Sequence, residues 1–332
     1  MDIDLSVLRT LERERDIPFA ELVEIIEVAI LAAYFRHLGK TERDKTPEDR
    51  LTRAVLDQKT GHVAILAPGL SEAGEVQSES DVTPDDFGRI AAAAAKDVIT
   101  RRLRQLSDEN LFGEFRGKEG DIVVGTVEQN PRTQMVFLNL GTAEAILPTE
   151  EQVPGEEYSH GKRIRVYVVS VSKGLRGPQI RASRKHPNLI RKLFALEVPE
   201  VASGAVEIVA VAREAGHRTK IAVRAKTPGV NAKGACIGEL GQRVRAVSAE
   251  LNEEKIDVVD YSDDLPEFVA HALSPAKVSS SFLLDAATKH VRALVPDYQL
   301  SLAIGKEAQN VRLAAQLTGA KIDIQPESIL ES

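Results

Sequence analysis

The sequence predicts a multidomain α+β protein: an α-rich N-terminal domain, a small five-stranded β-barrel of the OB type, and two tandem α/β modules. Three observations carry that reading. At 332 residues the chain exceeds what one hydrophobic core usually organises. Short β-type segments separated by Gly and Pro crowd the stretch from Gly117 to Arg184. Beyond it one pattern occurs twice, with Gly238 and Gly305 in equivalent places 67 residues apart.

Composition narrows the chemistry. Hydrophobic residues make up 43% and charged residues 28%, the balance of a folded chain rather than a disordered one. Aromatics are only 4%, with no Trp, which limits any scheme built on wide stacking surfaces. The single cysteine, Cys236, leaves no internal disulfide, zinc ribbon, Fe–S cluster or CxxC redox pair. The seven histidines are scattered, without the spacing of a helical metal site. No metal or cofactor is expected. Nor does any run approach the ~20 apolar residues of a membrane span, and Met1-Asp2-Ile3-Asp4 is acidic where a signal peptide is basic. The expectation is a reduced, soluble, cytoplasmic protein with no membrane partner.

Each element has its own signal. Leu5, Leu8 and Leu11, then Leu22, Val23, Ile25, Ile26, Ala29, Ile30 and Ala33, form one wide apolar face at helical spacing that Gly39 stops. Residues 51–56 and 62–66 flank Lys59-Thr60-Gly61 as a hairpin. Thr83 and Pro84 have the chemistry of an N-cap and first helical position for a second helix reaching Leu106 or Phe115. Five strands follow, at 121–127, 135–140, 143–147, 163–171 and 179–182, too few for a sandwich and right for a small closed barrel. Pro187 marks a boundary and a helix through Leu196.

The repeat is detailed. Ile237-Gly238-Glu239-Leu240-Gly241-Gln242-Arg243-Val244-Arg245 leads to Lys255-Ile256-Asp257-Val258. Ile304-Gly305-Lys306-Glu307-Ala308-Gln309-Asn310-Val311-Arg312 leads to Lys321-Ile322-Asp323-Ile324. Two β-type runs precede each copy, so each module reads helix, strand, strand, short helix, glycine turn, helix, strand. Two copies are too few for a solenoid and suit tandem domains. A Gly-x-x-Gly turn entering a helix frees the backbone for positive φ and presents N–H groups at the helix N-terminus. That is how KH domains clamp about four nucleotides of single-stranded nucleic acid.

Charge agrees with an RNA surface. Residues 1–112 carry 22 acidic and 15 basic side chains, whereas Lys162 to Arg245 holds 18 basic against 5 acidic. Such an excess repels itself unless a polyanion gains from it. The acidic first third suits a protein partner instead. The candidate RNA-binding residues are therefore Gly238, Glu239, Leu240, Gly241, Gln242, Arg243 and Arg245 in the first turn, with Lys233 ahead of it. In the second they are Gly305, Lys306, Glu307, Ala308, Gln309, Asn310 and Arg312. On the barrel they are Lys162, Arg163 and Arg165 on its fourth strand, with Arg181 and Arg184 on or after its last. Ala308 stands where the pattern wants Gly. At positive φ it costs about 1 kcal/mol or more, so a reshaped or weaker second turn is expected, with Lys306 offsetting the loss at a phosphate.

The order of acidic α-rich domain, OB barrel and two KH modules resembles the NusA family of bacterial transcription factors over essentially the whole chain. Residues Leu196-Glu197-Val198-Pro199-Glu200-Val201, Gly234-Ala235-Cys236-Ile237-Gly238 and Gln309-Asn310-Val311-Arg312-Leu313-Ala314 carry the resemblance as they stand. It implies a polymerase-binding domain at 1–112, an S1-type barrel at 113–184, and type II KH domains at 185–264 and 265–332. It further implies a monomeric, non-enzymatic factor that binds RNA polymerase near the RNA exit channel through the first domain. Barrel and KH pair would grip nascent single-stranded RNA, modulating pausing, intrinsic termination and antitermination alongside other such factors. The acidic C-terminal repeats of some family members have no counterpart after Ile324, so their functions are not expected.

Rival readings are weaker. Cys236 lies on an apolar face and is expected to pack. Gly39-Lys40-Thr41 lacks the earlier glycine and the preceding strand of a phosphate loop. The carboxylates Glu253, Glu254, Asp257, Asp260, Asp263 and Asp264 are dispersed and expected to be surface charge rather than a Mg²⁺ site. Core packing is the expected fate of Phe137 and Tyr167. An exoribonuclease-like processing enzyme needs a catalytic domain, and residues 1–112 show no acidic metal cluster. An RNA chaperone differs only in what the N-terminal domain binds.

Overall fold

Leu5, Leu8 and Leu11 lie on α1 (Leu5–Arg15), the first element of a computed structural model that describes residues 2–15, 17–41, 43–70, 76–129, 135–174 and 177–330. The chain divides into two compact units, Met1–Asn110 and Leu111–Ser332. In the first, Pro18 leads into α2 (Phe19–His37), whose buried Leu22, Val23, Ile26, Ile30 and Ala33 recur at helical spacing. Each fully buried Ile or Leu contributes about 1.5–3 kcal/mol. Tyr34 stands edge-on to Phe35 and Phe87 at centroid distances of 5.4 and 6.0 Å. Gly39 takes φ +67° just beyond the helix end.

A short α3 (Pro47–Leu51) is held by a reciprocal capping box between Thr46 and Asp49. The expected hairpin is β1 (Arg53–Leu56) with β2 (Val63–Leu70), and β3 (Val76–Asp81) adds a third antiparallel strand. Every residue of β3 is exposed, so it carries no apolar alternation from which to be read. Its presence also corrects the expected start of the second helix. Thr83 caps no helix: its Oγ1 accepts from the Ile65 N–H at 2.8 Å, extending the sheet. One further turn buries Phe87, and only then does α4 (Gly88–Arg116) begin.

In the second unit, β4 (Ile122–Gln129), β5 (Val136–Asn139), β6 (Glu144–Leu147), β7 (Arg163–Gly174) and β8 (Gly177–Ser183) close in the order β4-β5-β6-β8-β7. Val127, Leu138, Leu147, Ile164, Val166 and Ile180 fill the barrel, and Leu111, Phe112 and Phe115 pack on it. β7 is the closing strand. It pairs with β4 and β8 in turn, and a bulge between Val168 and Ser170 bends it to do so.

The first module comprises α5 (Pro187–Glu197), α6 (Pro199–Ala202), β9 (Val206–Glu214), β10 (Arg218–Ala225), α7 (Ala232–Ile237), α8 (Gln242–Glu250) and β11 (Lys255–Asp260). The second comprises α9 (Leu265–Ala272), β12 (Ser280–Asp285), β13 (His290–Val295), α10 (Leu300–Ile304), α11 (Gln309–Thr318) and β14 (Lys321–Pro326). In both sheets the first two strands are antiparallel and the last two parallel. Parallel neighbours need a crossover, and each helix–turn–helix supplies it. The registers correspond: Arg218 faces Lys255 as His290 faces Lys321. The modules also share a core. Ala212, Ala222 and Val259 of the first sheet pack with Phe268, Val269, Leu313 and Leu317 of the second module.

Candidate nucleic-acid interface

Both glycine turns have one backbone conformation. Gly238 takes φ/ψ 74°/173° and Gly305 78°/167°, a region open essentially to glycine alone. Leu240 (50°/24°) matches Glu307 (52°/31°), and Gly241 (76°/17°) matches Ala308 (58°/22°). The second turn is therefore not reshaped, which corrects the expectation drawn from Ala308. The reason is steric. A Cβ on Gly305 would lie 2.8 Å from the Asn310 backbone nitrogen, whereas one on Gly241 meets nothing nearer than the tip of Arg245 at 3.2 Å. The first glycine is obligatory; the second position has room for a methyl, though its positive φ still disfavours an L residue.

Neither α8 nor α11 has a side chain capping its N-terminus. The Gln242 N–H donates to the Glu239 carbonyl and the Gln309 N–H to the Lys306 carbonyl, so each N-terminus offers an anion the positive end of its helix dipole and the N–H groups that follow. Glu239, Leu240 and Gln242 are exposed around the first turn, as are Lys306, Glu307 and Ala308 around the second. Leu240 is 87% exposed at its tip.

The cations separate into two groups. Arg163, Arg245 and Lys306 are exposed and have no carboxylate partner among the described residues. Others are tied. Arg243 donates to the Ala235 carbonyl at 2.8 Å and to Glu200 at 2.9 Å, clipping the end of α7. Arg312 holds Glu214, and Gln309 donates to the same carboxylate at 2.7 Å. Arg181 pairs with Glu150, Lys233 lies 3.8 Å from Asp260, and Lys162 donates to the Glu157 carbonyl at 3.0 Å.

Two expected contacts are corrected outright. Arg184 is 1% exposed, its guanidinium held by Glu156 and by the carbonyls of Arg165 and Glu250. Burial works against its charge, yet the Glu156 hydrogen bonds and charge outweigh that and hold its pKa above the usual arginine value. Asn310 is also buried, donating to the Leu273 and Ala303 carbonyls at 2.9 Å each. It does in the second module what Arg243 does in the first. Neither side chain faces a ligand.

The barrel meets the first module along the outer row of β7. Tyr167 is buried there, stacked on His186 at 4.3 Å, as core packing predicted. Arg165 pairs with Glu250 at the far end of α8, and Arg163 continues the row into solvent. Nine residues of helix span about 13 Å, so α8 connects the first turn to this row. Phe137 departs from expectation: Val136 and Leu138 point inward, leaving it half-buried on the outer face opposite Glu128 and Ile146.

Sequence reasoning counted Glu200 and Glu207 inside that segment but missed the carboxylates outside it that consume its positive excess. Glu150, Glu156, Glu250, Glu254 and Asp257 pair with Arg181, Arg184, Arg165, Arg213 and Arg218. Glu254 and Asp257 are thus internal partners of Arg213, Arg218 and Lys220, not surface charge. No side-chain group among the described residues could hold a metal ion, and no described helix is long and apolar enough to cross a membrane. Cys236 is buried, its thiol pushed up to about 11 by burial and then by Glu200.

Two family models match this half of the chain: a NusA-like first KH domain over residues 184–261 and a NusA-like second KH domain over 265–332. The relatives extend the likeness to the whole chain. Transcription termination/antitermination protein NusA of Mycobacterium tuberculosis is 52% identical across 99% of this chain and 94% of its own length. The Bacillus subtilis protein of that name is 44% identical over 98% and 91%, and the Thermus thermophilus one 36% over 98% and 90%.

Proposed function

The chain belongs to the NusA family of transcription termination/antitermination proteins, and we propose from that premise that it holds RNA polymerase with one end and nascent RNA with the other. Residues 1–112 take the polymerase, 113–184 form an S1-type barrel, and 185–264 and 265–332 form the two KH domains. RNA held by barrel and KH turns, close to where it leaves the enzyme, modulates pausing, intrinsic termination and antitermination. The protein acts as a cytoplasmic monomer by binding alone, without chemistry of its own.

One observation supports this reading above the rest. Two turns in one unit share a single left-handed backbone path, each opening a helix whose N-terminus no side chain caps. Such turns suit phosphates in series. The acidic balance of residues 1–112 disfavours a polyanion and leaves protein contact as their role.

The test is a nuclease-treated pull-down of RNA polymerase with the full chain and with residues 1–112. Retention by both is expected. Capture by the full chain that disappears on nuclease treatment would mean the polymerase contact runs only through RNA.

A further inference from the structure

The second turn keeps Glu307 and Ala308 left-handed without the second glycine, a conformation disfavoured for an L residue by roughly fivefold or more. Something must hold it. Glu214, the last residue of β9 in the first module, spans the gap between modules. Its carboxylate accepts from Arg312 Nε at 2.7 Å and from Gln309 Nε2 at 2.7 Å. The same guanidinium donates through its other arm to the Glu307 carbonyl at 3.1 Å. A carboxylate, a guanidinium and the carbonyl of a left-handed residue therefore form one continuous chain.

The first turn has no such brace. Its equivalent of Arg312 is Arg245, which is exposed, has no carboxylate partner among the described residues, and lies against Gly241. The two turns differ in a matched way: glycine with an untied arginine, alanine with a tied one. We propose that Glu214 is a positioning residue of the second turn, holding Arg312 and through it Glu307 and Ala308 in the shape a glycine would otherwise permit. The second module's grip on RNA then depends on the first module. An exposed ion pair alone would contribute little, but this one is fixed by the Gln309 and carbonyl hydrogen bonds as well. The inference rests on the RNA-binding reading for its consequence, not for its geometry.

The test uses the full chain carrying Gly241→Asp, so that the second turn supplies the KH contacts to single-stranded RNA. Adding Glu214→Ala is expected to weaken binding roughly fivefold, the factor by which the left-handed alanine is disfavoured. Adding Ala308→Gly as well should restore it, and Glu214→Gln, which keeps an acceptor, should lose less. Without RNA, hydrogen exchange at the Ala308 amide, bonded to the Gly305 carbonyl at 3.2 Å, should quicken in Glu214→Ala and recover with Ala308→Gly. A loss that Ala308→Gly does not rescue overturns the proposal, since Glu214 would then merely dock the modules. Tighter binding in Glu214→Ala also overturns it, showing a carboxylate that competes with phosphate for Arg312. If the Gly241→Asp chain binds no RNA at all, the RNA reading of the second turn fails, and the exchange measurement still decides the positioning role.

Discussion

Arg213 and Glu254 form a two-armed ion pair at 2.9 and 2.8 Å with side chains 1% and 0% exposed, where the first module meets the barrel. The pair is fully satisfied. Arg213 also donates to the Arg184 carbonyl at 2.9 Å, and Glu254 accepts from Thr219 and from the Gly216 N–H.

Breaking it should be severe. Glu254→Gln strands a buried guanidinium, a loss of about 3–5 kcal/mol in urea unfolding. Burial raises the Glu254 pKa, but the Arg213 and Thr219 hydrogen bonds bring it below the usual glutamate value. With the folded value depressed, the contribution is complete above the unfolded pKa of about 4.3 and fades as pH falls through the folded value. Unfolding curves from pH 7 to 3 should therefore fall more steeply for the parent than for Glu254→Gln.

Cys236 should be inert. With its pKa pushed up to about 11, on the order of one thiol in a thousand is ionised at pH 8, and burial blocks access. A disulfide reagent should label it only at the rate of unfolding. Rapid labelling of the folded chain would contradict the packed position.

The elements legible in advance were those whose residues alternate or repeat. Leu22, Ile26 and Ile30 announce α2, and the repeated Lys-Ile-Asp announces β11 and β14. β3 escaped because its six residues, Val76 to Asp81, face solvent on both sides. At the site, the glycines and the arginines at 245 and 312 were legible as a pattern, but their states were not. Whether an arginine is free depends on a carboxylate far away in sequence: Glu214 lies 98 residues from Arg312, and Glu250 85 from Arg165. Charge counted along the chain cannot distinguish Arg184, sunk against Glu156, from Arg163 in solvent.

Salt dependence distinguishes them in solution. Arg163→Ala, Arg245→Ala and Lys306→Ala should each lower the slope of log K against log salt by about 0.7 for single-stranded RNA. Asn310→Ala and Arg184→Met should leave the slope near the parent value, and their effect should appear as lost stability. Equal slopes for all five variants would place the phosphates elsewhere.

The glycines give the sharpest contrast. Gly238→Ala places a Cβ 2.6 Å from Arg243 Cγ, and Gly305→Ala places one 2.8 Å from the Asn310 backbone nitrogen. Both positions lie in dihedral space essentially closed to other residues, so each substitution should cost about 1–3 kcal/mol and spoil its turn for RNA. Gly241→Ala puts an alanine where Ala308 stands, but beside the untied Arg245, and should cost about 1 kcal/mol, with modest loss of affinity. Gly241→Asp and Ala308→Asp should weaken RNA binding alike, because the two turns share one path and each carboxylate would face the same uncapped helix N-terminus. RNA titration with circular dichroism as a folding control reads all five. If Gly305→Ala proves harmless while Gly241→Ala abolishes binding, the assignment of the obligatory glycine is reversed, and the tolerance of Ala308 needs another cause.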